Sequence, residues 1–484
     1  MNLVHVLEGH AGKRPEHPAL LEGEQAVSYA ELNARVCRLA GALEAQGIRS
    51  GSRVLVFVPM SIDLYIILLA VLHVGATVVF VDPGMGRRQI EAAVALATPD
   101  AWIGVPRAHW LRWVSPALRA IPLRWKLRRH QLDRMSAGFL DARAVTDVDD
   151  SEPALLTFTS GSTGQPKGVL RTHGLLWSQH KALRAALQTG PGDVELQALP
   201  IFVLNTLAVG ATAVIPRLGR RVADVAAAPL AEAIQAHGVT TVAGSPALYR
   251  PLIAYCQAQG LRFPGVRAMF LGGAPVPPDL LAKLAPLLPN GDSWVVYGST
   301  EAEPISHMSA SEVLSETAAA TARGDGLCVG KPVDAVRVRL EDDEILVSGD
   351  HVNPSYYRNE AAVARYKVCG SDGTIWHRTG DLGRFDERGR LWLLGRRERA
   401  VNHRGQRIYP FSVELAARAL AGVEQAALLT HKDQLLLVVS GERENMSELV
   451  ALHPAIDRVQ AVTHIPTDRR HNAKVDYEAL AKRL

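Results

Sequence analysis

Apolar residues along this chain gather in short runs separated by longer helical patterns. Arg53 to Val58 is a near-continuous apolar run and reads as a buried strand. Ile62 to Val74 is apolar on every side and reads as a buried helix. Thr77 to Val81 reads as the next strand and stops at the turn residues Asp82-Pro83-Gly84. The strand theme returns at Ala101 to Val105, Thr240 to Ala243, Ala268 to Leu271 and Ser293 to Tyr297. Such alternation predicts an α/β fold of layered subdomains with largely parallel sheets. The stretch from Ile62 to Val81 is long enough to span a bilayer, but Asp63 and His73 interrupt it. A helix followed by a strand is the expectation, with no transmembrane segment.

The pattern changes near Gly383. Arg384 to Arg390 reads as a hairpin turn, and Leu391 to Arg397 leads into a short segment with its own strands at Ala426 to Leu429 and Leu435 to Val439. A large N-terminal domain over residues 1–394 and a small α+β C-terminal domain over residues 395–484 are predicted.

Composition narrows the class. The chain has 484 residues, 48% of them hydrophobic and 21% charged, which suits several packed layers and excludes a wholly disordered chain. A net charge of +4 is too mild to imply nucleic acid. Cys37, Cys256, Cys328 and Cys369 stand far apart with no CxxC pair, so buried free thiols in a reducing cytoplasm are expected, not a zinc site or disulfides. The first residues lack the pattern of a signal peptide, and a cytoplasmic location is expected. Arg107 to Arg143 is rich in Trp and Arg, and its run Arg124 to His130 reads as a solvated helix face. The sharper alternative is a docking patch for something acidic, such as a carrier protein or a membrane surface contacted peripherally.

The strongest candidate chemistry lies between Leu155 and Val169. An apolar strand runs into Thr159, Ser160, Gly161, Ser162, Thr163 and Gly164, followed by Lys167. Glycines permit close backbone approach, hydroxyls and backbone N–H groups offer donors to phosphate oxygens, and the lysine adds a point charge. The spacing is not that of a P-loop.

This run resembles the signature loop of the adenylate-forming enzymes, which include acyl- and aryl-CoA ligases and the adenylation domains of peptide synthetases. Later segments resemble the same family in the same order. Gly272, Gly273 and Ala274 are similar to its adenine-side loop. Tyr297-Gly298-Ser299-Thr300-Glu301 is similar to the segment in which the tyrosine stacks on adenine, the threonine contacts the α-phosphate and the glutamate helps hold magnesium. His377 to Asp381 resembles the T-G-D motif, which assigns Asp381 to the ribose hydroxyls. Gly395 to Glu398 resembles the hinge, with Arg396 on ribose or phosphate and Glu398 as pivot, where the family usually has aspartate or lysine. Arg470 to Lys474 resembles the terminal motif, whose lysine reaches the active site. The resemblance implies ATP and Mg²⁺, a small carboxylic acid substrate, catalytic roles for Lys474, Lys167, Thr300 and Glu301, and a mobile C-terminal domain.

The acceptor is less defined. Val81 to Met85, Leu199 to Phe202 and Arg470 to Lys474 look like the olefin-pathway β-lactone synthetases, which adenylate a 3-hydroxy acid and close it on itself. Arg404-Gly405-Gln406-Arg407 to Pro410 looks like the thiol-channel loop of thioester-forming ligases, and Glu414 matches that group's helix-start glutamate. The expectation leans to a thioester, with coenzyme A or the phosphopantetheine of an acyl carrier protein as co-substrate. By the same resemblance, Phe202, Asn205, Gly244 and His307 are candidates for the acid pocket. A non-catalytic binding protein that keeps the fold is the alternative from another class. Lys167, Glu301, Asp381 and Lys474 are all present, which argues against it.

Overall fold

The computed structural model describes residues 2–82, 84–128, 131–140, 143–160, 166–216, 226–442, 446–467 and 475–484. Among the described residues the N-terminal part is built on two large sheets. One has six strands, with Leu123–Lys126 at one edge and the hairpin Pro153–Ser160/Pro166–Thr172 at the other. Its first five strands run parallel, and Pro166–Thr172 returns antiparallel. The other has 14 strands.

The larger sheet changes character along its width. From Pro18–Glu22 across to Asp292–Ser299 its strands pair in parallel, as the α/β alternation predicts. Beyond Asp292–Ser299 every pairing is antiparallel, which the sequence pattern did not suggest. Connection length accounts for the hairpins within it. Ser299 to Ala302 and Glu341 to Glu344 are joined by tight turns, and Phe385 to Leu391 by a short loop. A parallel return needs a crossover of about a dozen residues or more.

The helix Ile62–His73 starts at Ser61, whose hydroxyl accepts the Leu64 N–H. It is buried along its full length and packs on the helix Tyr29–Ala45. His73 sits in this core with Nε2 3.2 Å from the Arg143 carbonyl oxygen, and burial lowers its pKa. The apolar stretch is therefore a core helix and the strand Thr77–Phe80. No helix of the described residues is long and apolar enough to cross a membrane.

The basic run is not a helix face. Leu123–Lys126 pairs in parallel with Ala101–Gly104, and its exposure alternates. Leu123 and Trp125 turn inward while Arg124 and Lys126 face out, the period of two that a strand edge requires. Of the cysteines, Cys37, Cys256 and Cys328 are buried free thiols, but Cys369 is exposed, because Lys367–Cys369 is a short strand at the margin of the sheet.

Past Arg396 a second, smaller unit follows. It holds the hairpin Val401–His403/Gln406–Ile408, the helix Pro410–Ala419 and a three-stranded sheet with its own apolar core. Glu414 lies in the second turn of that helix. It is buried, accepts the Leu428 N–H (2.9 Å) and the Tyr477 hydroxyl (2.6 Å), and so ties the helix to the small sheet.

Candidate active site

The hydroxyl loop leaves the strand Pro153–Ser160 and returns as Pro166–Thr172. Thr159, next to last in the first arm, has its hydroxyl buried and without a partner among the described residues. Gly161, Ser162, Thr163 and Gly164 lie outside the described residues, as does Lys474. Period-two counting from Lys167 puts Arg171 on the same face of the returning strand. Arg171 is buried and donates to the Thr157 hydroxyl (2.9 Å) and the Thr300 carbonyl oxygen (2.5 Å). It thereby clamps the loop hairpin to the turn that carries Glu301. Burial lowers its pKa, and burial raises that of neighbouring Glu303 to about 7, with Arg171 opposing.

Around that turn the structure assembles a charged cluster. Glu301 is 8% exposed and accepts the Tyr356 hydroxyl at 2.8 Å. The Lys167 ammonium lies 4.0 Å from the Tyr366 ring centre and 5.2 Å from that of Tyr356. Lys367, also buried, lies 5.1 Å from the Tyr356 ring and donates to the Asn353 carbonyl oxygen. Burial brings its pKa down to about 8 against the pull of Glu301. His377 pairs with Lys367 across adjacent strands, and burial, reinforced by Lys367, lowers its pKa to about 4. Burial works against an ionised Glu301, but His377, Lys167, the Tyr356 hydroxyl and Lys367 outweigh it and hold the carboxyl below its ordinary value. Asn353 completes the frame. Its N–H donates to the Glu301 carbonyl oxygen (2.7 Å) and its side chain to that of Leu170 (2.6 Å).

A second cluster forms beside it. Asp381 and Arg396 face each other across the hairpin Ile375–Phe385/Leu391–Arg396. One Asp381 oxygen lies 3.1 Å from Arg396 Nε, and the other accepts the Tyr297 hydroxyl at 2.8 Å. Tyr297 and Gly298 end the strand Asp292–Ser299, and Thr300 and Glu301 turn it. Gly244 and Gly272 end neighbouring strands, joined by a 3.1 Å bond from the Gly272 N–H to the Gly244 carbonyl oxygen. A Cβ at Gly272 would stand 2.9 Å from the Val296 carbonyl oxygen, so a side chain there would push the strand ends apart. Gly273 follows with φ +74°, and Ala274 closes the turn.

Of the acid-pocket candidates, Phe202 packs with Ala243, Phe270 and Val296 just below these strand ends. Asn205 does not join it. Its Oδ1 lies 2.8 Å from His180 Nδ1, and it borders a small apolar cavity of about 70 Å³ with Leu7, Leu69 and Leu204. His307 borders a different cavity of about 630 Å³, with Trp294, Lys181 and Arg390.

At the junction of the two units, Glu398 forms an ion pair with Arg365 at 2.8 Å, each half-exposed. Arg365 precedes Tyr366, the ring beneath Lys167. Gly395, φ +129°, leaves no room for a side chain, because a Cβ would meet Phe411 Cβ at 2.8 Å. Gly405 turns the hairpin at φ +79°, and a Cβ there would meet nothing within 4 Å. On the far arm, Tyr409 donates to Asp343 (2.7 Å) and Arg407 to the Asp342 carbonyl oxygen (3.1 Å).

The Glu301 cluster suits one magnesium ion shared with substrate phosphates, since it offers a single ionised hard-oxygen ligand beside ammonium groups. The Thr159 and Ser299 hydroxyls, buried and without a partner among the described residues, suit an incoming phosphate or sugar.

The family model described as AMP-binding enzyme matches residues 7–357. An olefin β-lactone synthetase of Xanthomonas campestris pv. campestris is 35% identical, over 94% of this chain and 90% of that protein. One of Stenotrophomonas maltophilia is 34% identical, over 97% and 93%. A feruloyl-CoA synthase of an Amycolatopsis species is 30% identical, over 90% and 89%. ATP-bound MatB from Rhodopseudomonas palustris shares the fold, with a TM-score of 0.83 at 22% identity over 100% of this chain and 99% of that one.

Proposed function

Because this chain belongs to the AMP-binding enzyme family and activates a carboxylic acid with ATP, we propose that it adenylates a 3-hydroxy acid and closes it to a β-lactone. The observation that carries this reading is the 35% identity, spread over nine-tenths of both chains, to an olefin β-lactone synthetase. It outweighs the motif-based lean towards a thioester, which rests on one short hairpin.

In the first step an acid oxygen bonds to the α-phosphorus of ATP and pyrophosphate leaves. Both partners are anionic, so the protein's task is charge neutralisation and alignment. Lys167 faces the phosphates, Thr159 to Gly164 donate to them, and Thr300 contacts the α-phosphate. Glu301 holds magnesium, which neutralises phosphate charge when bound. Tyr297 stacks on adenine, with Gly272 to Ala274 along its edge, while Asp381 and Arg396 take the ribose. Their present mutual contacts keep these side chains oriented. Lys474 pairs with the attacking carboxylate. In the second step the 3-hydroxyl oxygen bonds to the acyl carbon, AMP leaves, the hydroxyl proton passes to solvent, and a four-membered ring closes.

One observation favours a second reading. The open left-handed turn at Gly405 leaves space for a thiol arm after rotation of the small unit about Glu398, and a thioester-forming relative, the feruloyl-CoA synthase, is 30% identical. Coenzyme A or a holo-carrier protein is then the acceptor.

The test is ATP–pyrophosphate exchange with 3-hydroxy, fatty and aryl acids, followed by mass spectrometry with and without each thiol. A product one water lighter than the 3-hydroxy acid, formed without a thiol, is expected. A product that forms only with a thiol replaces this reading by the second.

A further inference from the structure

The Trp- and Arg-rich segment has no part in the site just described, and its placement is unusual. Ala108–Trp113 is a 3₁₀ helix that follows the strand Ala101–Gly104. With three residues per turn, positions i and i+3 eclipse. Trp110 and Trp113 therefore form one ridge, 73% and 68% exposed, and Val114 beside them is 49% exposed. The helix is anchored from its other side. Ala108 and His109 are buried, and His109 stacks on Trp102 with ring centres 4.0 Å apart. Two indoles held out by a fixed scaffold are an apolar feature that a solvated surface does not explain.

Charge surrounds this ridge. Between Asp100 and Asp133 the sequence contains no Asp or Glu, while Arg and Lys recur. The Arg112 guanidinium lies 4.9 Å from the Trp113 ring centre. Arg119 donates to the carbonyl oxygens of Arg112 (3.3 Å) and Trp113 (3.2 Å), and Arg124 donates to that of Arg119 (2.7 Å). These bonds hold two further cations against the ridge while leaving their charge uncompensated. Among the described residues none of the three makes an ion pair within 4.0 Å. Lys126 shares the outward face of the edge strand with Arg124. Glu91, the carboxylate packed beneath, is occupied by the Ser115 hydroxyl and the Ala117 N–H.

We infer that this ridge docks the enzyme on an anionic lipid surface, with Trp110 and Trp113 at the headgroup boundary and the surrounding cations on lipid phosphates. Indole rings favour that boundary, where an apolar body and a polar N–H are both accommodated. Arg and Lys near an anionic leaflet add attraction that falls away within a Debye length. A convex ridge of two rings suits a deformable surface better than a shaped protein partner. Docking on lipid also suits the proposed 3-hydroxy acid, if its chain is long enough to partition into membrane, although the docking itself does not depend on which acid is used.

The experiment is sedimentation of the full chain with vesicles of phosphatidylcholine, with and without phosphatidylglycerol. Binding is expected only with phosphatidylglycerol and is lost in high salt. Trp110→Ser/Trp113→Ser is expected to abolish most of it. Arg124→Gln/Lys126→Gln is expected to weaken it about fivefold per charge removed. ATP–pyrophosphate exchange in solution, unchanged in both variants, shows that they fold and separates this test from that of the activity. Wild-type protein that stays in the supernatant with anionic vesicles overturns the inference. So does binding that survives both double substitutions. Capture of an acidic holo-carrier protein by the same residues, without vesicle binding, assigns the ridge to a protein partner instead.

Discussion

Tyr356 meets Glu301 through its hydroxyl and two ammonium groups through its ring. Tyr356→Phe removes the hydroxyl and keeps the ring. Donors behind a metal-binding carboxylate tune its affinity by about tenfold or more. Half-maximal pyrophosphate exchange in this variant should therefore need roughly tenfold more Mg²⁺. An unchanged Mg²⁺ titration would make the bond purely structural. His377 has its consequence in pH. Its pKa in the fold is about 4, below the ordinary histidine value of 6.5. The stability that comes from keeping it neutral is intact above pH 6.5 and is lost as pH falls towards 4. The loss is on the order of 3 kcal/mol. Urea unfolding of His377→Gln should lack that part of the acid slope, and an identical slope would place it on other groups. Glu301 and His377 lie in the motifs, but their contacts with Tyr356 and Lys367 were not legible there. Lys367 and His377 are adjacent only through strand register, and Tyr356 lies in a segment without a recognisable pattern. Arg171 was within reach, because a strand that places Lys167 at the site places Arg171 on the same face four residues on.

Elements were read well wherever hydrophobic period and length agreed. Ile62 to Val74 and Thr77 to Val81 appear as a helix and a strand within one residue of expectation, because both are buried on all sides. The run at Arg124 misled because charge suggested a helix face, while the alternation of Leu123, Arg124, Trp125 and Lys126 already had a strand's period. The antiparallel half was hidden for another reason, since a strand's own residues do not fix its direction, and only its hairpins have connections short enough to show it. Two element-scale predictions follow from close contacts. Arg171→Met frees the loop hairpin from the Thr300 turn. It should cost roughly 1–3 kcal/mol in chemical unfolding and lower exchange further than that loss of fold accounts for. Exchange at wild-type rate would show that the hairpin holds its place without the clamp. Gly395→Ala must fit a Cβ against Phe411 at an unfavourable φ, at a cost of about 1–3 kcal/mol. Thermal unfolding will measure it, and no shift would mean that Phe411 yields freely.

At the scale of the whole molecule, the family's two-part plan was legible from the order of its motifs, whereas the pairing of the parts was not. The proposed role of Lys474 predicts a split between half-reactions. Lys474→Ala should form adenylate from acid and ATP at least about a hundredfold more slowly, yet still consume a preformed adenylate. Equal loss in both steps would remove it from the first. Several contacts join the parts, Tyr409 with Asp343 and Arg407 with Asp342 among them, and the pair of Arg365 and Glu398 is half-exposed on both sides. Arg365 and Glu398 meet in the open, where an ion pair is worth about 0–1 kcal/mol. A tie that weak behaves as one detent among several: it adds to a resting position that the Tyr409 and Arg407 contacts also hold, and by itself it releases under a small load. Arg365 also lies 5.2 Å from the centre of the Tyr366 ring, the ring under Lys167, so the detent sits one residue from the candidate site. Under the proposed rotation of the small unit, added salt should loosen this tie and quicken turnover in ATP–pyrophosphate exchange where that rotation is limiting, and an unchanged rate would leave the other contacts as the hold.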